Sequence, residues 1–268
     1  MLDFLKKLGW VLAWPFMAII CFIELMSCNT AAKRYAKDPT CAEPEERYNK
    51  VKNLVKHLLY FKDIKIAYRG KQKLENKQML FVANHKSNVD PLIILKTVLD
   101  QKVPYITFVA KMELASSKYA GVANLIDTIY LDRGNLREAI KAVNEQADTI
   151  QKEKTSVCIF PEGTRVEGDE FGEFKAGALA AAYKTYACIQ PVVIYSSQGL
   201  LDRDKKWKHK GKRVVDISYM PVIQTNEFIN IDKTIFVSRL QQSMHEEYER
   251  LAKVHNEPID NPKFDKEK

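Results

Sequence analysis

Short apolar runs alternate with segments of helical character from residue 63 to about residue 255, and this alternation limits the folds open to the chain. The runs have the length and composition of buried strands, which we predict at residues 64–68, 79–83, 105–110, 128–131, 156–160, 189–195 and 214–220. Helices are predicted between and after them, at residues 89–99, 112–125, 136–151, 176–187 and 231–254. Strands that alternate with helices indicate an α/β fold. We therefore expect a layered αβα domain with a mixed central sheet over residues 63–255.

The junction that follows the predicted strand at residues 79–83 contains the first candidate catalytic residues. Ser87 to Asp90, just before an apolar run, predict a helix start with a capping box, so His85 lies where a strand ends and a helix begins. In the first helical turn, the Asp90 carboxylate can point back to the His85 imidazole. Such a partner fixes the tautomer of a histidine and raises its basicity, which suits a general base. The alternative is an ordinary histidine near a helix-capping aspartate.

A second candidate is the polar loop Phe-Pro-Glu-Gly-Thr-Arg at residues 160–165, where another predicted strand ends. Gly163 lets the backbone approach a ligand closely, and Arg165 presents a fixed fork of donors that matches a phosphate. The alternative is an ordinary turn with a surface ion pair. Two further predicted strands also end in basic residues, Lys111 and Arg133.

Taken together, these stretches resemble the motifs of the glycerolipid acyltransferase family, and most closely those of its 1-acylglycerol-3-phosphate acyltransferases. The motifs occur in family order over residues 84–193: Asn-His-x4-Asp at Asn84, His85 and Asp90; Lys-x-Glu-Leu at Lys111, Glu113 and Leu114, followed by Gly121, Asp132 and Arg133; Phe-Pro-Glu-Gly-Thr-Arg at residues 160–165; and an apolar run around Pro191. Lys175 and Gly177 fit the Phe-Lys-x-Gly that commonly follows the third motif. Departures from the pattern at Lys118, Asp127 and Val166 leave the shape of the second motif's loop open.

The resemblance implies transfer of a fatty acyl group from an acyl thioester to the sn-2 hydroxyl of lysophosphatidic acid, which makes phosphatidic acid for phospholipid biosynthesis. His85 would act as the base and Asp90 would hold its imidazole. The substrate-binding residues would be Asn84, Lys111, Arg133, Glu162, Gly163, Thr164, Arg165 and Lys175. Backbone N–H groups near Gly163 or Ser87 are candidates to stabilise the oxyanion.

The acyl donor would be acyl-CoA or acyl–acyl carrier protein, and the resemblance implies neither a cofactor nor a metal. No serine or cysteine is placed as a nucleophile, so we expect direct attack on the thioester without a covalent acyl-enzyme. Two alternatives stay open: a sister acyltransferase that acts on glycerol-3-phosphate or another lysophospholipid, and a non-catalytic membrane-surface protein on the same fold.

The charge balance predicts an anionic partner. The chain has 42 Lys and Arg against 34 Asp and Glu, a formal net charge of +8, which suits nucleic acid, an acidic membrane or a phosphorylated substrate. No zinc-ligand pattern or RNA-binding signature favours nucleic acid, whereas an apolar N-terminus favours a membrane surface. The five cysteines form no Cys-x2-Cys pair, so we expect no disulfide framework and no structural zinc.

Residues 1–62 are predicted to be a membrane-associated helical segment. The apolar stretch at residues 8–23 is interrupted by Pro15 and ended by Glu24, so it could either cross a bilayer or dip into one leaflet. A signal peptide is disfavoured because no cleavage site follows. Residues 29–46 are predicted to be a connection. Residues 45–61 have helical periodicity with lysines on other faces, which indicates a helix packed on the domain or lying on an anionic membrane.

Three segments are therefore expected: the N-terminal helices at 1–62, an α/β acyltransferase domain at 63–255 and a charged tail at 256–268. The helices would attach the protein to the cytoplasmic face of the cell membrane. Expected partners are lysophosphatidic acid and phosphatidic acid, the acyl donor and the anionic membrane surface, and no nucleic acid.

Overall fold

A computed structural model describes residues 2–70, 73–101, 103–132, 134–202 and 213–258. Within these ranges the strands are β1 (Ile64–Tyr68), β2 (Leu80–Ala83), β3 (Ile106–Lys111), β4 (Ile129–Leu131), β5 (Ser156–Ile159), β6 (Ile189–Tyr195) and β7 (Arg213–Tyr219). The α-helices are α1 (Leu2–Lys37), α2 (Pro44–Phe61), α3 (Asp90–Asp100), α4 (Ala120–Leu125), α5 (Leu136–Gln151), α6 (Ala180–Thr185) and α7 (Lys233–Val254). Short 3₁₀ turns occupy Pro39–Cys41, Met112–Ser116, Ala176–Leu179 and Thr225–Glu227.

The seven strands form one sheet in the order β1-β7-β6-β2-β5-β3-β4. The neighbours β6/β2, β2/β5, β5/β3 and β3/β4 are parallel, whereas β7 runs antiparallel to β6. The predicted α/β fold with a mixed central sheet is therefore confirmed.

The central strands are buried along their whole length. All four residues of β2 and all four residues of β5 are buried. Strands that are covered on both faces contain continuous apolar runs instead of alternating ones, which is why these two strands could be located from the sequence. Their burial fixes the positions of the loops that follow them.

The parallel direction of β2 and β5 places the loops that follow them at the same edge of the sheet. The register pairs Val82 with Ile159, so the chain leaves the sheet from adjacent points toward His85 and toward Pro161. In open α/β sheets, ligands collect outside the carboxyl ends of the strands. This edge is where the two strongest sequence motifs meet.

The capping box predicted at Ser87 is wrong. Helix α3 begins at Asp90, and its N-cap residue, Val89, makes no side-chain capping bond. The Ser87 hydroxyl instead donates to the Leu200 carbonyl. The Asp90 carboxylate turns back from the helix and accepts the backbone N–H groups of Lys86 and Ser87, each at 2.7 Å.

Two compact units make up the chain: Met1–Lys65 with Glu113–Thr128, and Ile66–Met112 with Ile129–Lys268. In the first unit, α1 is a continuous helix of 36 residues. The predicted interruption at Pro15 and the predicted connection from residue 29 are both wrong. The helix continues because residues 31–37 are mostly alanine, lysine and arginine, which are good helix formers, so Pro39 and Pro44 only delimit the turn between α1 and α2.

Contacts inside the first unit hold α1 and α2 against the segment around α4. The Tyr35 hydroxyl donates to Asp127 Oδ1 at 3.0 Å, and Arg47 donates to the Leu125 carbonyl at 2.6 Å and to Asp127 Oδ2 at 2.8 Å. Asn29 crosses Gly121 so closely that a Cβ at residue 121 would lie 2.8 Å from the Asn29 Cα. Asp127, where the sequence departs from the family pattern, is therefore an anchor point in this unit.

One helix in the described part of the chain is long and apolar enough to cross a membrane: α1, over Pro15–Lys37. Its apolar side chains are largely exposed, with Phe16, Ile19, Phe22 and Ile23 between 55% and 69% exposed. Exposed apolar side chains in such a row are typical of a membrane or protein contact. Residues 15–23 of the predicted apolar stretch lie on this part of α1.

Candidate active site

His85 and Asp90 form the predicted pair. His85 Nδ1 lies 3.0 Å from Asp90 Oδ2, and the aspartate is fully buried. Because Asp90 Oδ2 is a fixed acceptor, Nδ1 carries the proton that is donated to it, and Nε2 is left as the basic nitrogen. The imidazole is 19% exposed, enough for a substrate hydroxyl to reach it.

The loop after β5 fixes the other side of His85. The Phe160 ring stacks on the imidazole with centroids 4.2 Å apart and an interplanar angle of 26°. The Val166 N–H donates to the His85 carbonyl at 3.0 Å, and the His85 N–H donates to Glu162 Oε1 at 2.7 Å. The two sequence motifs therefore form one site with a common hydrogen-bond network.

Glu162 connects its own stretch of backbone to two others, at His85 and at Gly172. Its Oε1 accepts from His85 as described, and its Oε2 accepts from the Gly172 N–H at 2.8 Å. Burial raises the pKa of the Glu162 carboxyl, and the backbone N–H bonds from Gly172 and His85 act in the opposite direction. The sequence suggested that Glu162 binds substrate, but its carboxylate contacts backbone donors and no arginine in the described part of the chain.

Lys86 is a buried residue of the site that sequence reasoning missed. Its side chain is almost wholly inaccessible, its Nζ donates to the Glu170 carbonyl, and it lies 5.3 Å and 5.6 Å from the ring centroids of Phe171 and Tyr248. Burial lowers the pKa of the Lys86 ammonium, while Glu162 and other nearby carboxylates oppose this. No sequence signal identified it, because it occupies a spacer position of the Asn-His-x4-Asp motif.

Asn84, predicted as a substrate-binding residue, is fully buried and bonded to backbone. Its Nδ2 donates to the Ile194 carbonyl at 2.9 Å, and its Oδ1 accepts the Ile194 N–H at 2.8 Å. These bonds extend the pairing of β2 with β6 beyond the strand end. Asn84 therefore holds the edge of the sheet from which the His85 loop starts.

Four of the other predicted binding residues lie on loops or strand ends. Gly163 adopts a left-handed backbone with φ of 72°, a conformation in which glycine has no steric penalty. Thr164 and Arg165 are exposed just after it, and the exposed Lys175 donates its N–H to the Pro161 carbonyl at 3.1 Å. These contacts place Lys175 beside the same loop.

For two predicted phosphate ligands, Lys111 and Arg133, the structure gives no contact with the His85–Asp90 pair. Lys111 is exposed at the carboxyl end of β3, and its side chain makes no hydrogen bond or ion pair with the described residues. Arg133 lies outside the described residues. Arg165 is the predicted arginine whose contacts the structure describes.

Two of the backbone N–H groups near the expected oxyanion site already have acceptors. The Ser87 N–H bonds to Asp90, and the Gly163 N–H bonds to the Phe160 carbonyl at 3.0 Å. In the described part of the chain, the backbone N–H groups of Thr164 and Arg165 have no hydrogen-bond acceptor. They are the donors that the loop leaves available.

Comparison with known proteins agrees with this geometry. An acyltransferase family model matches residues 65–195, which contain the His85 and Glu162 loops. A protein of Mycoplasma pneumoniae named "Probable 1-acyl-sn-glycerol-3-phosphate acyltransferase" is 35% identical over 92% of this chain and 93% of its own length. The chain belongs to the acyltransferase family.

Other members resemble this acyltransferase over much of its length. The human 1-acyl-sn-glycerol-3-phosphate acyltransferase alpha is 28% identical over 77% of this chain and 72% of its own length. The crystal structure of the 1-acyl-sn-glycerophosphate acyltransferase of Thermotoga maritima has a TM-score of 0.68 and covers 92% of this chain and 98% of its own, at 18% identity. That last likeness shows a shared fold.

The described residues of the acyltransferase contain no cluster of three or more His, Cys, Asp and Glu side chains placed to hold a metal ion. Its titratable groups are instead engaged with one another and with the backbone, as in the His85–Asp90 pair and the Glu162 bridge.

Proposed function

We propose that the protein is a 1-acyl-sn-glycerol-3-phosphate acyltransferase, which transfers a fatty acyl group from an acyl thioester to the sn-2 hydroxyl of lysophosphatidic acid. The observation that carries this proposal is the His85–Asp90 pair at 3.0 Å, bonded into the Phe160–Arg165 loop. The names of the curated relatives support the choice of acceptor. The product would be phosphatidic acid, a precursor in phospholipid biosynthesis.

His85 Nε2 takes the proton of the sn-2 hydroxyl while that oxygen attacks the thioester carbonyl. The buried Asp90 carboxylate orients the imidazole and stabilises the imidazolium that forms, as in hydrolase triads. A new ester C–O bond forms and the C–S bond breaks. The proton on Nε2 then passes to the departing thiolate, which returns the histidine to its starting state.

Stabilisation of charge comes from the loop after β5. The backbone N–H groups of Thr164 and Arg165 are free to bond the tetrahedral oxyanion, where one such donor is worth about 10² to 10³ in rate. The Arg165 side chain supplies the charged fork for the acceptor's phosphate. Lys111, Lys175 and Arg133 are further basic residues that the family resemblance assigns to substrate binding.

The acyl donor is a thioester of coenzyme A or of acyl carrier protein. Its carbonyl is already activated, so the chemistry needs no metal or other cofactor. His85, Asp90 and the backbone donors supply the acid–base and electrostatic contributions. The reaction is thus complete with the groups that the chain and its two substrates provide.

The acceptor and the product are lipids, so the protein works at a membrane. The apolar side chains of α1 over Pro15–Lys37 support attachment through the N-terminal helices. A basic chain with a net charge of +8 favours the anionic lipid of the cytoplasmic leaflet. We place the protein on the cytoplasmic face, where acyl thioesters are made.

Purified protein assayed on a panel of acceptors tests this function. We expect the highest kcat/KM with lysophosphatidic acid, compared with glycerol-3-phosphate and lysophospholipids that carry a larger headgroup. His85→Ala should lower kcat by a factor of about 10² to 10⁴ because a general base is lost. Its far-UV circular dichroism spectrum should match that of the wild type, which shows that the variant is folded. Near-normal turnover by His85→Ala, or a preference for glycerol-3-phosphate, would contradict the proposal.

A further inference from the structure

Asp202, in the loop after β6, is a buried carboxylate that joins the two halves of the active site. Its side chain is 3% exposed, and its Oδ1 accepts from Arg165 Nη1 of the loop after β5. The same oxygen accepts from Asn88 Nδ2 at 2.8 Å, in the loop that carries His85. Residues 84–90 and residues 160–165 are thus tied together by one aspartate that neither sequence motif contains.

The charge of Asp202 depends on Arg165. Its Oδ2 is buried and has no hydrogen-bond partner in the described part of the chain. A buried carboxylate is unfavourable unless it is paired and hydrogen-bonded, and among the described residues Arg165 is the cation bonded to it. If Arg165 swung away to meet a ligand, it would leave an uncompensated buried charge. The guanidinium is therefore held at its present position.

The bond to Asp202 uses only part of the hydrogen-bonding capacity of the Arg165 guanidinium. A guanidinium carries five N–H groups, and among the described residues its only polar side-chain partner is Asp202. The Arg165 side chain is 40% exposed, so the remaining N–H groups are open to solvent. Its backbone lies next to His85, since the adjacent Val166 bonds to the His85 carbonyl. A phosphate bound to this face would lie near the reacting histidine.

We propose that Asp202 is a positioning residue that fixes the Arg165 guanidinium for the acceptor's phosphate. This inference rests on the proposed function, because it names the group that prepares the phosphate site of that same reaction. Asp202 does not touch the reacting atoms. Its contribution is to pre-orient a flexible arginine, so that binding of the phosphate need not order it.

The variant Asp202→Asn tests the proposal, because it keeps the size of the side chain and removes its charge. We expect KM for lysophosphatidic acid, measured in mixed micelles, to rise about tenfold, with kcat within about twofold of the wild type. Asp148→Asn, at an exposed aspartate paired with Lys152 on α5, is the matched control and should leave both constants unchanged. A kcat that falls while KM stays constant would overturn the proposal.

A double-mutant cycle with Arg165→Ala separates positioning of Arg165 from a general effect on the loops. Asp202→Asn should change KM by less than about twofold when Arg165 is already absent, because the two residues act as one unit. An equally large change in both backgrounds would show that Asp202 acts through Asn88 or through loop stability, and would overturn the proposal. Asp202→Ser, which leaves room for water, replaces Asp202→Asn in the cycle if the asparagine variant fails to fold.

Failure of this inference is distinguishable from failure of the proposed function. If Arg165→Ala raises KM for the phosphorylated acceptor and Asp202→Asn does not, the acyltransferase function stands and only the role of Asp202 is lost. If His85→Ala keeps its turnover, the proposed function itself fails.

Discussion

Three side chains restrain His85, two through its imidazole ring and one through its backbone. Asp90 accepts from Nδ1, Phe160 stacks on the ring, and Glu162 accepts the backbone N–H. The histidine is thus restrained in tautomer, tilt and backbone position at once. In the proposed mechanism, a histidine held this way loses little entropy when the substrate hydroxyl arrives.

Lys86 gives a pH-dependent prediction at this scale. Burial places its pKa in the folded protein below the ordinary value of 10.5, so at pH values between the two the unfolded chain binds more protons. The free energy of unfolding therefore rises with pH in that window. Compared with Lys86→Met, the wild type should become relatively more stable as the pH approaches 10.5.

Urea unfolding of the two proteins at a series of pH values checks this expectation. Lys152→Met, at an exposed lysine just after α5, controls for the general effect of removing one positive charge. If the wild type instead became less stable relative to Lys86→Met as the pH rises, the carboxylates around the ammonium would stabilise it more than burial penalises it.

At the scale of elements, helices α1 and α4 approach each other at Gly121. A Cβ there would lie 2.1 Å from Asn29 Oδ1 and 2.8 Å from its Cα, so Gly121→Ala should force the helices apart. Overpacking typically costs about 1 to 3 kcal/mol, and the better helix propensity of alanine returns about 1 kcal/mol. We expect a net loss of up to about 2 kcal/mol in the free energy of unfolding, measured in urea.

Gly177→Ala is the matched control, since a Cβ at residue 177 would meet nothing within 4 Å. It should leave stability unchanged or raise it slightly. Equal stability of both variants would mean that the α1–α4 crossing can widen without cost.

At the scale of the whole molecule, attachment to the membrane should depend on the apolar side chains of α1. Changing Phe16, Ile19, Phe22 and Ile23 to serine removes four exposed side chains, each worth about 1 kcal/mol or more when buried in lipid. Partitioning onto anionic vesicles in a sedimentation assay should fall at least about a hundredfold. Any residual binding should decrease further with salt, because surface charges are screened.

The control carries serine at four exposed apolar residues of the other unit, which are Leu136, Ile140, Tyr186 and Ile235. It has the same number of changes and should partition like the wild type. If both variants bound vesicles equally well, α1 would not be the anchor.

The features that the sequence predicted correctly are those set by residues close together along the chain. The buried strands and the His85–Asp90 pair, five residues apart, were located because an apolar run or one helical turn determines them. Asn84 bonds to Ile194 and Arg165 bonds to Asp202, and no pattern in a single sequence specifies such distant partners. The predicted connection from residue 29 was wrong because the helix formers at residues 31–37 continue α1 to Lys37, and Pro39 and Pro44 act only beyond that point.

The unit that contains α1 is discontinuous in sequence, and this has a consequence for the order of events during synthesis. Residues up to Lys65 belong to it, but its remaining part begins only at Glu113, roughly fifty residues later. At about 5 to 20 residues per second, the ribosome needs several seconds to supply α4. Throughout that delay, the side chains of Asn29 and Tyr35 await partners that have not yet been translated. If α1 meets a bilayer during this time, its apolar side chains are buried in lipid before the first unit closes.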